Sequence, residues 1–102
     1  MFREQEVRFT AARRAGAPKE DLVAVLEHED AVPWPGASEQ EQAAQDWIME
    51  CVDGRDLRQL MAAAPSVENL AFYLYQGCAP LLPGLTRVRV SPGLGTWAAY
   101  QP

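Results

Sequence analysis

The two ends of this chain alternate and its middle does not, which limits the folds open to it. Residues 6–12 read EVRFTAA, with Val7, Phe9 and Ala11 on one side and Arg8 and Thr10 on the other. Residues 86–90 read TRVRV, with Val88 and Val90 opposed to Arg87 and Arg89. A period of two marks half-buried strands, with one apolar face and one polar face. Between these ends the apolar residues Ala43, Ala44, Trp47, Ile48, Cys51 and Val52 recur at helical spacing, as do Val67, Leu70, Ala71, Leu74 and Cys78. Strands gathered at the ends and helices in the centre exclude an alternating parallel α/β architecture and predict an α+β fold.

Local signals set the expected boundaries. A second strand is expected over 22–28, LVAVLEH, antiparallel to the first after the break at Arg13 to Pro18. The proline-punctuated stretch 32–36, VPWPG, leads to Ser38 and Glu41, a capping-box spacing that predicts a helix over about 39–52, stopped at Asp53-Gly54. Residues 56–61 add one further turn. Ser66 caps a second helix whose first turn carries Glu68, an acid suited to the positive helix end. Two last strands, 86–90 and 97–100, form a second hairpin. The predicted order is β-β-α-α-β-β in a single domain, 1–102.

Composition narrows the partners. A formal net charge of −5 over 102 residues opposes nucleic acid or an anionic membrane as the main partner, since both need an electropositive footprint. No apolar run approaches a membrane span. The two cysteines, Cys51 and Cys78, lack C-x-x-C spacing and fall on predicted helices, and no secretory signal precedes them, so a cytoplasmic protein with reduced thiols is expected. A chain this small has a modest core and two exposed sheet edges, so a homo-oligomer built by continuing sheets across subunits is expected.

The element order, PSVENLA at 65–71, PGLTRVRV at 83–90 and the terminal WAAY at 97–100 together resemble the 6-pyruvoyltetrahydropterin synthase and 6-carboxytetrahydropterin synthase family. Its members share a P-T-x-E-N-L-A helix start, a V-x-V-x-E-T strand and an aromatic-ended last strand. RFTAA at 8–12 and VDGRDL at 52–57 extend the match more weakly. The resemblance implies a T-fold, an antiparallel four-stranded sheet with two helices on one face, whose subunits join sheets into a barrel with pockets between them.

Carried over residue by residue, the family's chemistry is largely replaced. Its A-A-H zinc ligand stands as Ala11-Ala12-Arg13, and its H-x-H pair falls near Ala17, Pro18 and Lys19. A guanidinium cannot ligate a metal, so neither metal nor other cofactor is expected. The L-D-H relay reads Val52-Asp53-Gly54, and the pterin-anchoring glutamate is replaced by Ser91-Pro92. No cysteine precedes the H-x-H position.

Two function classes follow. In the first, the inherited pocket is a metal-independent enzyme site for a small-molecule cyclisation, elimination or isomerisation. Arg13 then holds a developing oxyanion and Glu68 moves a proton, with His28 and Asp53 in reserve. Arg14, Ser66, Asn69, Ser91 and Trp97 are its expected binding residues. In the second, the chain is an inactive T-fold binding or scaffold subunit, and the same residues have plain roles: Ser66, Glu68 and Asn69 make a capped turn, Arg13 and Arg14 are solvated, and His28 is a partly exposed strand-end histidine. Arg8, Arg87 and Arg89 are explained by cross-strand pairing with Glu4 and Glu6.

Overall fold

The computed structural model describes residues 2–14, 16–29, 36–93 and 95–102, and the side chains of 36–38 lie outside the description. Its elements are β1 (Phe2–Ala12), β2 (Glu20–Glu29), α1 (Gly36–Cys51), β3 (Arg55–Asp56), α2 (Leu57–Leu60), α3 (Val67–Cys78), β4 (Leu85–Ser91) and β5 (Ala98–Tyr100). The strands form one sheet in the order β3-β1-β2-β4-β5. All neighbours are antiparallel except β3, which runs parallel to β1 through Ala11↔Arg55 and Ala12↔Asp56.

The alternation read in the sequence becomes the division between the two sheet faces. The register Val7↔Ala24, Phe9↔Leu22, Gln5↔Leu26, Leu26↔Val88 and Ala24↔Val90 puts all these side chains on one face. There they pack with Ile48 of α1 and Leu70, Leu74 and Cys78 of α3 in one continuous core. Each fully buried leucine or isoleucine contributes about 1.5–3 kcal/mol. Burial also pushes the Cys78 thiol up to about 12, so it stays protonated and inert at neutral pH.

The opposite face is charged. Glu27 of β2, largely buried, accepts from Arg89 Nε at 2.8 Å and lies 3.7 Å from Arg87, and Arg89 also reaches Glu4 at 3.4 Å. Arg8 pairs with Glu6 within β1 at 2.8 Å. The arginines of this face are therefore ion-paired, but only Arg89 with Glu4 is a cross-strand pair of the expected kind: Arg8–Glu6 lies within one strand, and the main cross-strand acceptor is Glu27, which was not among the expected partners.

Several expectations are corrected. β1 begins at Phe2, four residues before the predicted start, because the polar residues on its core face are taken up by α1: Arg3 pairs with Glu41 at 2.7 Å and the Gln5 side-chain amide donates to the Glu41 carbonyl at 2.7 Å. α1 starts upstream at Gly36, so Ser38 stands inside the helix and not at its cap position, and its side chain lies outside the described residues. The sheet has a fifth, two-residue strand, β3, which carries no periodic signal. The extra turn at 56–61 is α2, capped by Asp56, whose carboxylate accepts from the Arg58 backbone N–H at 3.0 Å. Ser66 caps α3 as expected, accepting from Asn69 N–H at 3.1 Å. The 32–35 segment with Trp34, and Asp30, lie outside the described residues. Among the described residues no helix is long and apolar enough to cross a membrane.

Gly84, in the turn between α3 and β4, locks this turn to the end of β2. Its carbonyl accepts from Glu29 N–H at 2.9 Å, and a Cβ placed on it would lie 1.9 Å from the Glu29 carbonyl oxygen. That oxygen belongs to a sheet strand and has little room to move. Gly84→Ala is expected to destabilise the fold by about 1–3 kcal/mol, the range for forced overpacking, as measured by urea unfolding. An unchanged midpoint would show that the turn relaxes freely.

Candidate functional site

The hairpin between β1 and β2 turns at Gly16, which has φ +67°, and Ala17 N–H donates to the Arg14 carbonyl at 3.2 Å. This reversal sets Arg13, Arg14, Lys19 and Glu20, with Ala17 and Pro18, around a groove of about 180 Å³. Arg13 is paired with Glu20 through Nε–Oε1, and its Nη2 donates to Oε2 at 3.4 Å. Both side chains are about one-third exposed. Glu20 thus orients a guanidinium that would otherwise sweep through solvent.

Beside this groove the turn after α1 closes onto β1. Asp53 and Val52 each donate their backbone N–H to the Ile48 carbonyl, and Gly54 N–H donates to the Thr10 carbonyl at 2.7 Å. Gly54 has φ +76°, a conformation that a glycine adopts without steric cost. The reversal aims Asp53 Oδ1 at Thr10, where it accepts from the backbone N–H at 2.8 Å and from the hydroxyl at 3.2 Å. Asp53, Thr10, Arg8, Asp21 and Val23 line a second groove of about 390 Å³. Lys19 joins the two places: its Nζ lies 4.0 Å from where a Cβ on Gly54 would stand.

The remaining candidates are elsewhere. Asn69 Nδ2 donates to the Ala64 carbonyl at 2.9 Å, so Ser66 and Asn69 together close the start of α3. Asn69 also lines a groove of about 320 Å³ with Met61, Ala63, Phe72 and Tyr73. Glu68, one residue before, is exposed. His28 is 1 % exposed and stands on the helix-facing side of β2, its Nε2 3.5 Å from Glu41 Oε2. The partly exposed position expected for it is corrected by α1, which covers it. Ser91 is buried and accepts from Gly93 N–H at 3.1 Å. Trp97 is 45 % exposed on the charged face, with the Arg89 guanidinium 5.1 Å from its ring centre.

The structure therefore brings Arg13 and Arg14 together, sets Asp53 beside them across Lys19, and leaves Glu68, Ser66 and Asn69, then His28, then Ser91 and Trp97, away from that place. Lys19 was missed by sequence reasoning as a site residue. The available signal was its position as the sole lysine, opposite the two arginines of a short hairpin.

No family model and no curated protein sequence matches the chain. Among solved structures, 6-pyruvoyl tetrahydropterin synthase from Caenorhabditis elegans is similar over 100 % of this chain and 94 % of that one, with a TM-score of 0.74. The chain has the T-fold. At 12 % sequence identity this likeness establishes architecture and not activity.

The zinc that the family resemblance implies does not suit the residues present. The corresponding positions hold a guanidinium, a methyl group and an ammonium, at Arg13, Ala17 and Lys19, none of which is a metal donor as charged. Among the described residues no three His, Cys, Asp or Glu side chains gather as a ligand set.

Asp53 provides a direct separation of structural from chemical roles. Asp53→Asn keeps an acceptor oxygen for Thr10 and is expected to retain stability within about 1 kcal/mol, whereas Asp53→Ala strands the Thr10 N–H and is expected to cost about 1–3 kcal/mol in chemical denaturation. Equal losses in both variants would show that the carboxylate charge, and not its hydrogen bonds, holds the turn.

Proposed function

We propose that this T-fold protein is a metal-independent enzyme whose pocket between subunits acts on a small anionic molecule by proton transfer, in a cyclisation, elimination or isomerisation. The observation that carries the reading is the Arg13–Glu20 pair lining the hairpin groove. A positioned guanidinium offers two N–H donors in a fixed plane to a carboxylate or enolate oxygen. It thereby supplies the charge stabilisation for which the related fold would use a metal, without needing a ligand set.

Proton transfer is assigned to Glu68. Asp53 has one oxygen engaged by Thr10, and His28 is enclosed beneath α1. Glu68 is exposed at the first turn of α3. In the assembly that the resemblance implies, the hairpin tip and the start of this helix approach one pocket from different subunits. The Phe2–Phe9 part of β1 has β2 on one side only among the described residues, and β5 is three residues long, so both sheet edges are open to a second copy.

A second reading, a binding subunit without turnover, is supported by the engagement of Asp53, Ser66, Asn69 and Ser91 with backbone groups. Each of these then serves the fold, and the groove only holds a ligand.

Two measurements test the proposal. Sedimentation at micromolar concentration is expected to show an oligomer; a monomer removes the shared pocket. In D₂O, the protein is expected to catalyse C–H exchange in at least one member of a panel of enolisable oxo-carboxylates. Arg13→Ala and Glu68→Gln should each slow that exchange by roughly a hundredfold, the scale for one oxyanion donor or one acid–base group. Wild-type rates in both variants would refute the assignment, and ligand binding with no exchange in any case would favour the binding subunit.

A further inference from the structure

The charges of this chain are unequally satisfied, and the inequality is localised. Nine basic side chains face fourteen acidic ones, so carboxylates are in excess. Arg3, Arg8, Arg13, Arg58, Arg87 and Arg89 each have a carboxylate within ion-pair distance. Arg55 donates to the Glu50 carbonyl at 3.3 Å. Among the described residues, Arg14 and Lys19 alone of the nine make no such contact, and both line the hairpin groove.

On an acidic surface a lone solvated cation is unremarkable, but two adjacent ones that both miss a carboxylate leave a local field of the opposite sign. The groove holds three cations to one carboxylate, and Glu20 is already committed to Arg13. At about 180 Å³ it is smaller than the roughly 300–1,000 Å³ of pockets that enclose a whole ligand, and so suits a charged head group. The hairpin turn, closed by the Ala17 N–H to Arg14 carbonyl bond, places the two residues on opposite arms of one short loop. Lys19 Nζ in turn stands over side-chain-free Gly54, the residue after Asp53, which with Asp21 lines the neighbouring groove.

We infer that the β1–β2 hairpin tip is an anchoring site for a dianionic oxyanion head, of the kind carried by an organic phosphate or a short dicarboxylate, held by Arg14 and Lys19 while Glu20 fixes Arg13 as the groove's wall. This rests on the proposed small-anion function and specifies its substrate class. It separates anchoring, by Arg14 and Lys19, from the charge stabilisation given to Arg13. The overall negative charge of the chain directs the site to small anions and away from polyanions.

The single lysine makes the test selective. Reductive ¹³C-methylation keeps the charge of an amine and labels only Lys19 and the N-terminus. Titration of the labelled protein with inorganic phosphate, and separately with succinate, is expected to shift the Lys19 methyl signal saturably and more weakly as sodium chloride is added. Saturation by phosphate alone identifies the organic phosphate as the source, and by succinate alone the dicarboxylate. In calorimetric or amide-shift titrations of unlabelled-lysine samples, Arg14→Gln and Lys19→Gln should each weaken binding about fivefold, and the double variant about twenty-five-fold. Undiminished affinity in the double variant, or no Lys19 response to either anion, overturns the site. Because this readout needs no turnover, anion binding without C–H exchange would remove only the catalytic reading, and exchange that persists in the double variant would remove only the anchoring site.

Discussion

Ten successive antiparallel pairs join β1 to β2, from Phe2↔Glu29 to Ala11↔Glu20, and the other features of the molecule are placed by that ladder. Because side chains alternate along a strand, one register decides both faces at once. A slip by one residue would turn Val7, Phe9 and Ala11 outward and bring Glu6 and Arg8 under the helices. The same register sets Glu4 opposite Glu27, two like charges that only the arginines of β4 make tolerable. It also dictates that the hairpin closes just beyond Ala11, so that Arg13 and Glu20 meet across the reversal.

The ladder's two ends are secured in different ways. At the Phe2 end, polar groups reach into the helix layer: Arg3 and Glu41 form a short ion pair, and Gln5 binds the Glu41 carbonyl. At the Ala12 end, backbone closure dominates, through Thr10 with Asp53 and Gly54 and through the two-residue β3. Specific polar contacts at both ends hold the register, while the apolar centre supplies most of the free energy. This division explains why groups with reactive chemistry, Asp53 above all, are part of the frame.

Legibility followed the same division. Val7, Phe9, Ala11, Val88 and Val90 carry their faces in their spacing, and Ser66 announces a helix start, so the core strands, the second helix and the T-fold resemblance could be read directly. The first four residues of β1 could not, because Arg3 and Gln5 occupy core-facing positions and find partners on a helix about forty residues away. β3 was invisible for a related reason: Arg55 and Asp56 form a strand because the preceding turn delivers them to β1. For the site, proximity of Arg13 and Arg14 was legible from adjacency. The burial of His28 depended on α1 crossing above it, and the meeting of Lys19 with Gly54 joined two segments thirty-five positions apart, which no local pattern encodes.

In the function proposed above, cationic side chains do work that a metal ion could do elsewhere, and the two demand different things of a pocket. A divalent ion concentrates charge at a point and demands neutral or anionic ligands around it, whereas a guanidinium and an ammonium spread charge over separate donors and repel each other unless an anion lies between them. Arg13 has such an anion within the protein, in Glu20, and is therefore stable without a ligand. Arg14 and Lys19 have none among the described residues and keep their full attraction for one that arrives. The hairpin thus combines one ion-paired cation with two that have no carboxylate partner among the described residues. In the proposed site, the unpaired cations hold one part of a small anion while another part is presented to the proton-transfer group.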